Sequence, residues 1–370
     1  MTARAGRPPA SGRPAARADR LAARLPDAGV DVMLVTNLVN VRYLTGYTGS
    51  NGVALIGPET RMFITDFRYV EQAAEEVDPA FDRRQASLDL LEAIEDVIAQ
   101  SDARVGFEEA HVSVRQYARL RDLLPERYEL IGLDGLVEGL RAVKEPEEIE
   151  RIRAASELAD AAFERLIGGG LVGHTERGLA MALEQTMREL GALRPAFESI
   201  VAAGPHGALP HATPRDVEVA RGQVVVIDWG AELDGYCSDC TRTVGAGETG
   251  PEVADVYRLV LEGQLAGVSA VRAGADGREV DGVARAVIDA GGQGERFGHG
   301  LGHGVGLEVH EAPRLSQRTE DVLRPGNVVT VEPGIYLPGA FGVRIEDLVV
   351  VTEDGCEILT HISKELIAAD

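Results

Sequence analysis

The first third of the chain alternates short apolar runs with amphipathic ones. Residues 31–35, 52–57 and 61–66 are compact apolar stretches that predict strands. Residues 69–77, 88–99 and 114–124 carry apolar side chains three and four apart, the period of a helix with one buried face. This alternation predicts an α/β domain over 26–141. A new pattern starts at Lys144-Glu145-Pro146-Glu147-Glu148, where proline takes a first helical position and acids fill the first turn. Ile149, Ile152, Ser156, Ala159, Phe163 and Leu166 continue one face until three glycines, 168–170, stop the helix. Further helices are predicted at 175–190, 251–271 and 278–290, and strands at 223–228, 236–243, 327–332 and 343–351. The second domain, 142–370, therefore reads as α+β, an antiparallel sheet backed by helices.

Ahead of both lies a different segment. Residues 1–25 contain six arginines, one acid and three prolines by position 14, with no apolar stretch of the kind a secretory signal needs. It is expected to be a disordered basic arm. The chain as a whole has 370 residues and a formal charge of −23, from 60 acids against 37 Lys and Arg. That balance argues against nucleic acid or an anionic membrane as partner, since both are bound by clustered cations. Only Lys144 and Lys364 among the 37 cations are lysine. Three cysteines, Cys237, Cys240 and Cys356, fit a reducing cytoplasm better than a disulfide framework.

Two patterns carry candidate chemistry. Asp228 ends the run Val224–Ile227, and Asp239 follows a turn-forming stretch, Glu232-Leu233-Asp234-Gly235. If the flanks form a hairpin centred between Leu233 and Asp234, the two acids lie directly across from one another, about 5 Å apart at Cβ. Glu332 and Glu346 repeat the pattern around Gly339. Like charges opposed at the end of apolar strands are unfavourable unless a cation lies between them. Between the two pairs runs Phe297-Gly298-His299-Gly300-Leu301-Gly302-His303-Gly304-Val305-Gly306-Leu307-Glu308-Val309-His310-Glu311. It has neither a dinucleotide nor a P-loop glycine register, and its glycines rule out a zincin helix. One of its three histidines is a candidate metal ligand. Four carboxylates and one histidine suit Mn²⁺, Co²⁺ or Fe²⁺ better than Zn²⁺, and several bridging acids imply two ions about 3.5–4 Å apart. Cys237 and Cys240 sit three apart on a predicted strand and point to opposite faces, so neither a disulfide nor a redox pair is expected.

The blocks IDWGAELDGYCSDCTRT, GHGLGHGVGLEVHE, VEPGIY and GVRIED resemble the pita-bread metallopeptidases, the superfamily of methionine aminopeptidase, prolidase and aminopeptidase P. The resemblance implies a pita-bread catalytic domain with Asp228, Asp239, His303, Glu332 and Glu346 as ligands of two divalent ions, Mn²⁺ first among them. The segments VTNLVNVRYLTGYTGSNGVALI and FITDFRYVEQA resemble the creatinase/prolidase N-terminal domain, which points to the proline-specific branch and to a homodimer. It further implies that His211 contacts substrate, that His310 steadies the scissile carbonyl, that Glu332 also moves protons, and that Arg344 supports the site. The expected activity is that of an Xaa-Pro aminopeptidase on small peptides with proline second; an Xaa-Pro dipeptidase is the alternative. A creatinase-like hydrolase, a lyase on the same scaffold and a non-enzymatic binding protein are more remote.

Overall fold

The computed structural model describes residues 14–98 and 102–370. The chain divides into two compact units, residues 1–141 and 142–370. The first unit opens with helix α1 (Pro14–Arg24). Here the expectation of a disordered arm is corrected over 14–25: Ala18, Leu21 and Leu25 are completely buried, and the Arg17 guanidinium lies over the Tyr43 ring. The arginines and alanines that resemble a low-complexity tail are the two faces of one amphipathic helix. Residues 1–13 lie outside the described part.

Strand β1 (Val32–Val35), helix α2 (Leu38–Thr45), strands β2 (Val53–Ile56) and β3 (Arg61–Asp66), helix α3 (Val70–Glu76) and strand β4 (Asp82–Ala86) follow. Then come β5 (Ala103–Glu108), α4 (Val114–Leu123), β6 (Tyr128–Leu133) and α5 (Glu138–Arg141). They build one mixed sheet in the order β4-β3-β2-β1-β5-β6. The helix expected over 88–99 is only a 3₁₀ turn at Leu90–Ala93 within the described residues, and 99 falls outside them. Its apolar residues Leu90, Ala93 and Ile94 are buried, so the periodicity reported packing onto the sheet and not a regular helix.

In the second unit, helices α6 (Pro146–Gly168) and α7 (Glu176–Glu189) cover strands β7 (Arg194–Pro195), β8 (Ile200–Ala203), β9 (Val224–Trp229), β10 (Ala231–Leu233), β11 (Tyr236–Cys237) and β12 (Cys240–Gly245). Trp229 anchors that layer, stacked on Phe163 at 4.3 Å with its indole N–H donated to the Ala159 carbonyl. Helices α8 (Pro251–Ala270) and α9 (Gly277–Ala290) pack on the strands that follow. These are β13 (Gly302–Gly304), β14 (Glu311–Leu315), β15 (Val328–Val331), β16 (Gly334–Leu337), β17 (Phe341–Arg344), β18 (Asp347–Val351) and β19 (Cys356–Ile358). Every ladder in this unit is antiparallel.

The two carboxylate hairpins differ in how well symmetry placed them. In β16/β17 the partners are Gly334 with Arg344 and Ile335 with Val343, and in β15/β18 Val331 pairs with Asp347. Glu332 and Glu346 lie between these ladders in one continuous register, as expected. The first hairpin is shifted by two residues: Leu233 pairs with Tyr236 and Asp228 with Thr241, so Asp228 does not face Asp239. The cause is a two-residue turn at Asp234-Gly235, both with positive φ (50° and 82°), the conformation preferred in right-twisted hairpins. Asp239 falls in the break between β11 and β12, diagonal to Asp228 on the same side. The strand predicted over 236–243 is split there.

Candidate active site

Carboxylates from three places in the chain meet at the floor of a cavity of about 500 Å³. Asp228 comes from β9, Asp239 from the β11/β12 break and Glu346 from the step between β17 and β18, with one ligand-competent atom of each within 4.8 Å of the others. Glu332, just beyond β15, and His303, on β13, complete the group. The His303 Nε2 atom lies 3.3 Å from Glu332 Oε1 and 3.6 Å from Asp239 Oδ2. His211, His310 and Arg344 line the same cavity.

The glycines around His303 are explained by strand packing. A Cβ at Gly302 would stand 2.0 Å from the Thr330 carbonyl oxygen, and one at Gly304 would stand 2.2 Å from that of Ala312. Strand β13 thus lies too close to both neighbours to carry side chains at these positions, and this holds His303 against the acids. Its Nδ1 faces the Gly304 carbonyl at 3.1 Å and so carries the proton, while Thr330 Oγ1 accepts its backbone N–H.

The electrostatics of the group are unbalanced. Burial, together with the charges of Glu346, Asp228 and Glu332, pushes the Asp239 carboxyl well above the usual carboxylate range. Glu346 is raised likewise by burial and by Glu332 and Asp228, despite a 2.7 Å hydrogen bond from the Thr241 hydroxyl. Asp228 is also raised by burial, against the pull of Arg344, whose Nη2 donates to Oδ2 at 2.6 Å. Its other oxygen, Oδ1, is buried with no hydrogen-bond partner. Glu332 goes the other way, to about 2: burial would raise it, but the His303 hydrogen bond and charge, aided by His299 and Arg344, outweigh that. An added positive charge would satisfy both the orphaned Asp228 oxygen and the crowded acids. The donor set fits one or two divalent cations.

Arg344 organises the wall behind the acids. Besides Asp228 it donates to the Thr241 hydroxyl (3.0 Å), the Tyr336 hydroxyl (2.8 Å) and the Pro210 carbonyl (3.2 Å). Tyr336 lies 2.9 Å from Nε2 of His299. His310 rests edge-on against His303, ring centroids 4.3 Å apart, and burial with the nearby His303 and Arg314 lowers it to about 4.

Sequence reasoning missed Thr241, Tyr336 and Arg314. The first two carry no signal beyond their types, since they matter only through Arg344. Arg314 pairs with His303 across β13/β14 and lines the cavity, and its guanidinium has no carboxylate partner among the described residues. The geometry of the acids agrees with what comparison finds: residues 150–353 match metallopeptidase family M24, and residues 17–143 match the creatinase/prolidase N-terminal domain. The chain belongs to family M24. Among curated relatives, the Xaa-Pro dipeptidase of Pyrococcus horikoshii is 37% identical over 343 residues, 91% of this chain and 95% of that protein. Two solved structures are similar over nearly the whole chain. The Xaa-Pro dipeptidase from Bacillus anthracis is 41% identical with a TM-score of 0.93, covering 96% of this chain and 100% of that one. The X-Pro aminopeptidase from Thermotoga maritima is also 41% identical with a TM-score of 0.88, covering 95% and 99%. This M24 protein is therefore a metallo-exopeptidase with an N-terminal creatinase-type domain. Among the described residues no helix is long and apolar enough to cross a membrane.

Proposed function

We propose that this M24 enzyme hydrolyses the Xaa-Pro bond of dipeptides, with two divalent ions, Mn²⁺ by preference, held by Asp228, Asp239, His303, Glu332 and Glu346. The observation that carries the reading is the uncompensated acid cluster, with its orphaned Asp228 oxygen, on the floor of the cavity. Bound there, the metals supply Lewis-acid polarisation and a water acidic enough to attack a carbonyl at neutral pH. The chain's own groups do the rest. Glu332, hydrogen-bonded to the Thr330 hydroxyl at 3.1 Å, carries a proton towards the departing proline nitrogen. A neutral His310 donates its N–H to the oxygen that gains charge. His211 binds the substrate from the opposite loop, and Arg344 holds Asp228 in place.

The dipeptidase reading replaces the aminopeptidase expected from sequence. Relatives named Xaa-Pro dipeptidase from both Pyrococcus and Bacillus support it, and so does Arg314. A cation without a carboxylate partner at the cavity wall suits the free carboxylate of a substrate that ends at proline. The Thermotoga X-Pro aminopeptidase is the observation favouring the second reading. An assay of Mn²⁺-, Co²⁺-, Fe²⁺- and Zn²⁺-reconstituted protein on Xaa-Pro, Xaa-Pro-Yaa and Met-Xaa substrates separates them. Preference for Xaa-Pro, lost on Arg314→Ala through a higher KM, supports the dipeptidase; equal or faster turnover of Xaa-Pro-Yaa supports the aminopeptidase. Hydrolysis that persists in excess chelator overturns both. A cytoplasmic location, favoured by three free cysteines, and a homodimer, tested by light scattering after size exclusion, are part of the same proposal.

A further inference from the structure

His211 sits on the connection from β8 to β9, and the two ends of its loop converge on a single buried acid. Glu176, the first residue of α7, is fully buried. A carboxylate at a helix N-terminus ordinarily serves its own helix. Here Thr175 already provides the cap, accepting from the Gly178 N–H at 3.0 Å, and the Glu176 carboxylate turns outward. Its Oε1 accepts the Ala203 N–H at 2.9 Å, where the chain leaves β8. Its Oε2 accepts the Arg215 N–H at 3.0 Å, where the chain returns. The Arg215 guanidinium closes over both oxygens at 3.2 and 3.3 Å, and Nδ1 of the buried His206 lies 2.9 and 3.0 Å from the same pair. Between these anchors, Pro210, His211, Ala212, Thr213 and Pro214 line the cavity. The Pro210 carbonyl accepts from Arg344, so the pinned loop also meets the wall behind the acids.

We propose that Glu176 is a positioning residue for the reaction, clasping both ends of the 204–215 loop so that His211 is presented to the substrate. This rests on the reading of His211 as a substrate contact. A glutamine is the informative replacement. It keeps the shape, but one of its two ends is an NH₂ and must face a backbone N–H or the Arg215 guanidinium, donor against donor.

The test uses full-length, metal-reconstituted Glu176→Gln alone and combined with His211→Ala. It measures kcat and KM on an Xaa-Pro dipeptide, metal content, and the rate of tryptic cleavage after Arg215. The expected result is unchanged metal content, faster cleavage, and a KM raised about 10- to 100-fold with kcat nearly unaltered. In the His211→Ala background the same substitution should change kcat/KM less than about twofold, because the contact it positions is already gone. An equal loss in both backgrounds overturns the proposal, as does wild-type kinetics with wild-type resistance to trypsin. If Glu176→Gln does not fold, Arg215→Lys keeps the tryptic site, loses the guanidinium fork that closes over both carboxylate oxygens, and is held to the same criteria. If His211→Ala alone leaves kcat/KM intact, the substrate-contact reading fails, and proteolysis then decides the clasp: faster cleavage supports it, wild-type resistance overturns it.

Discussion

Glu346 and Asp347 are consecutive residues, both almost wholly buried, and their surroundings are opposite. Asp347 receives Arg242 at 2.9 Å, Lys364 at 2.6 Å, Gln264 at 2.8 Å and Thr360 at 3.2 Å. Burial would raise its carboxyl, but those cations hold it below the usual range. Glu346 points to the other side of the strand, towards three more acids, and is pushed well above. Arg242 spans the boundary, donating to the Glu346 carbonyl as well as to the Asp347 carboxylate. One face of this chain segment is thus a closed ion network that fixes the backbone. The other is an open set of donors awaiting charge. The difference teaches how to tell a structural buried acid from a functional one: by whether its countercharge is supplied from within the chain.

The largest expected effect comes from the open side. Glu346→Gln or Asp239→Asn should abolish Xaa-Pro hydrolysis and metal loading, beyond the roughly 10- to 100-fold losses typical of residues one contact further out. In chelated protein at neutral pH the same changes should leave stability equal or higher, because they remove like-charge crowding; calorimetry of apo samples checks this. Asp347→Asn should do the reverse. The buried Arg242 and the half-buried Lys364 lose their partner, at a cost of about 3–5 kcal/mol, and the drop in Tm should be as large in chelated protein as in loaded protein. A stable Asp347→Asn that had lost only metal would break the comparison.

Lys144→Met sharpens it at a second place. The two lysines of this arginine-rich chain both serve buried carboxylates, Lys364 at Asp347 and Lys144 at Glu311, 3.1 Å away with both side chains nearly inaccessible. Glu311 in turn accepts the Glu308 N–H at 3.0 Å and so shapes the turn that leads into His310. Losing Lys144 should destabilise the fold by about 2–4 kcal/mol in urea titrations, and Lys144→Met with Glu311→Met should recover much of it.

The smallest effect concerns an acid between the two extremes. Asp160 accepts the His361 N–H at 2.6 Å through one oxygen while the other has no partner, and burial raises its carboxyl to about 6. Between about pH 4 and pH 6 the folded state therefore holds a proton that an unfolded aspartate has released, and stability falls as pH rises through that window. Asp160→Asn should remove this slope, a difference on the order of 2 kcal/mol between unfolding curves measured at pH 4 and pH 7.

How much of this was legible in the sequence depended on the range of the interaction. The helices starting at Pro146, Glu176 and Pro251 were readable because proline, caps and apolar period are local signals. Helix α1 was not, because its arginines and alanines acquire meaning only when Leu21 and Leu25 are buried in the sheet domain. The Glu332/Glu346 pair was placed by symmetry about its turn. The Asp228/Asp239 pair was misplaced because Asp234-Gly235 forms the tighter turn, a preference visible in the dipeptide itself.

By itself, then, the sequence determined that acids end apolar strands in two hairpins, that a glycine-spaced histidine run lies between them, and that the family blocks are intact. Those facts are set by composition and short-range periodicity. Only the tertiary structure decided which acids are compensated and which are left open, since the cationic side chains paired with Asp347, Glu311 and Glu176 lie from 17 to 167 positions away. Charge balance in a buried site is a property of what the fold brings within about 4 Å, and no pattern along the chain encodes that distance.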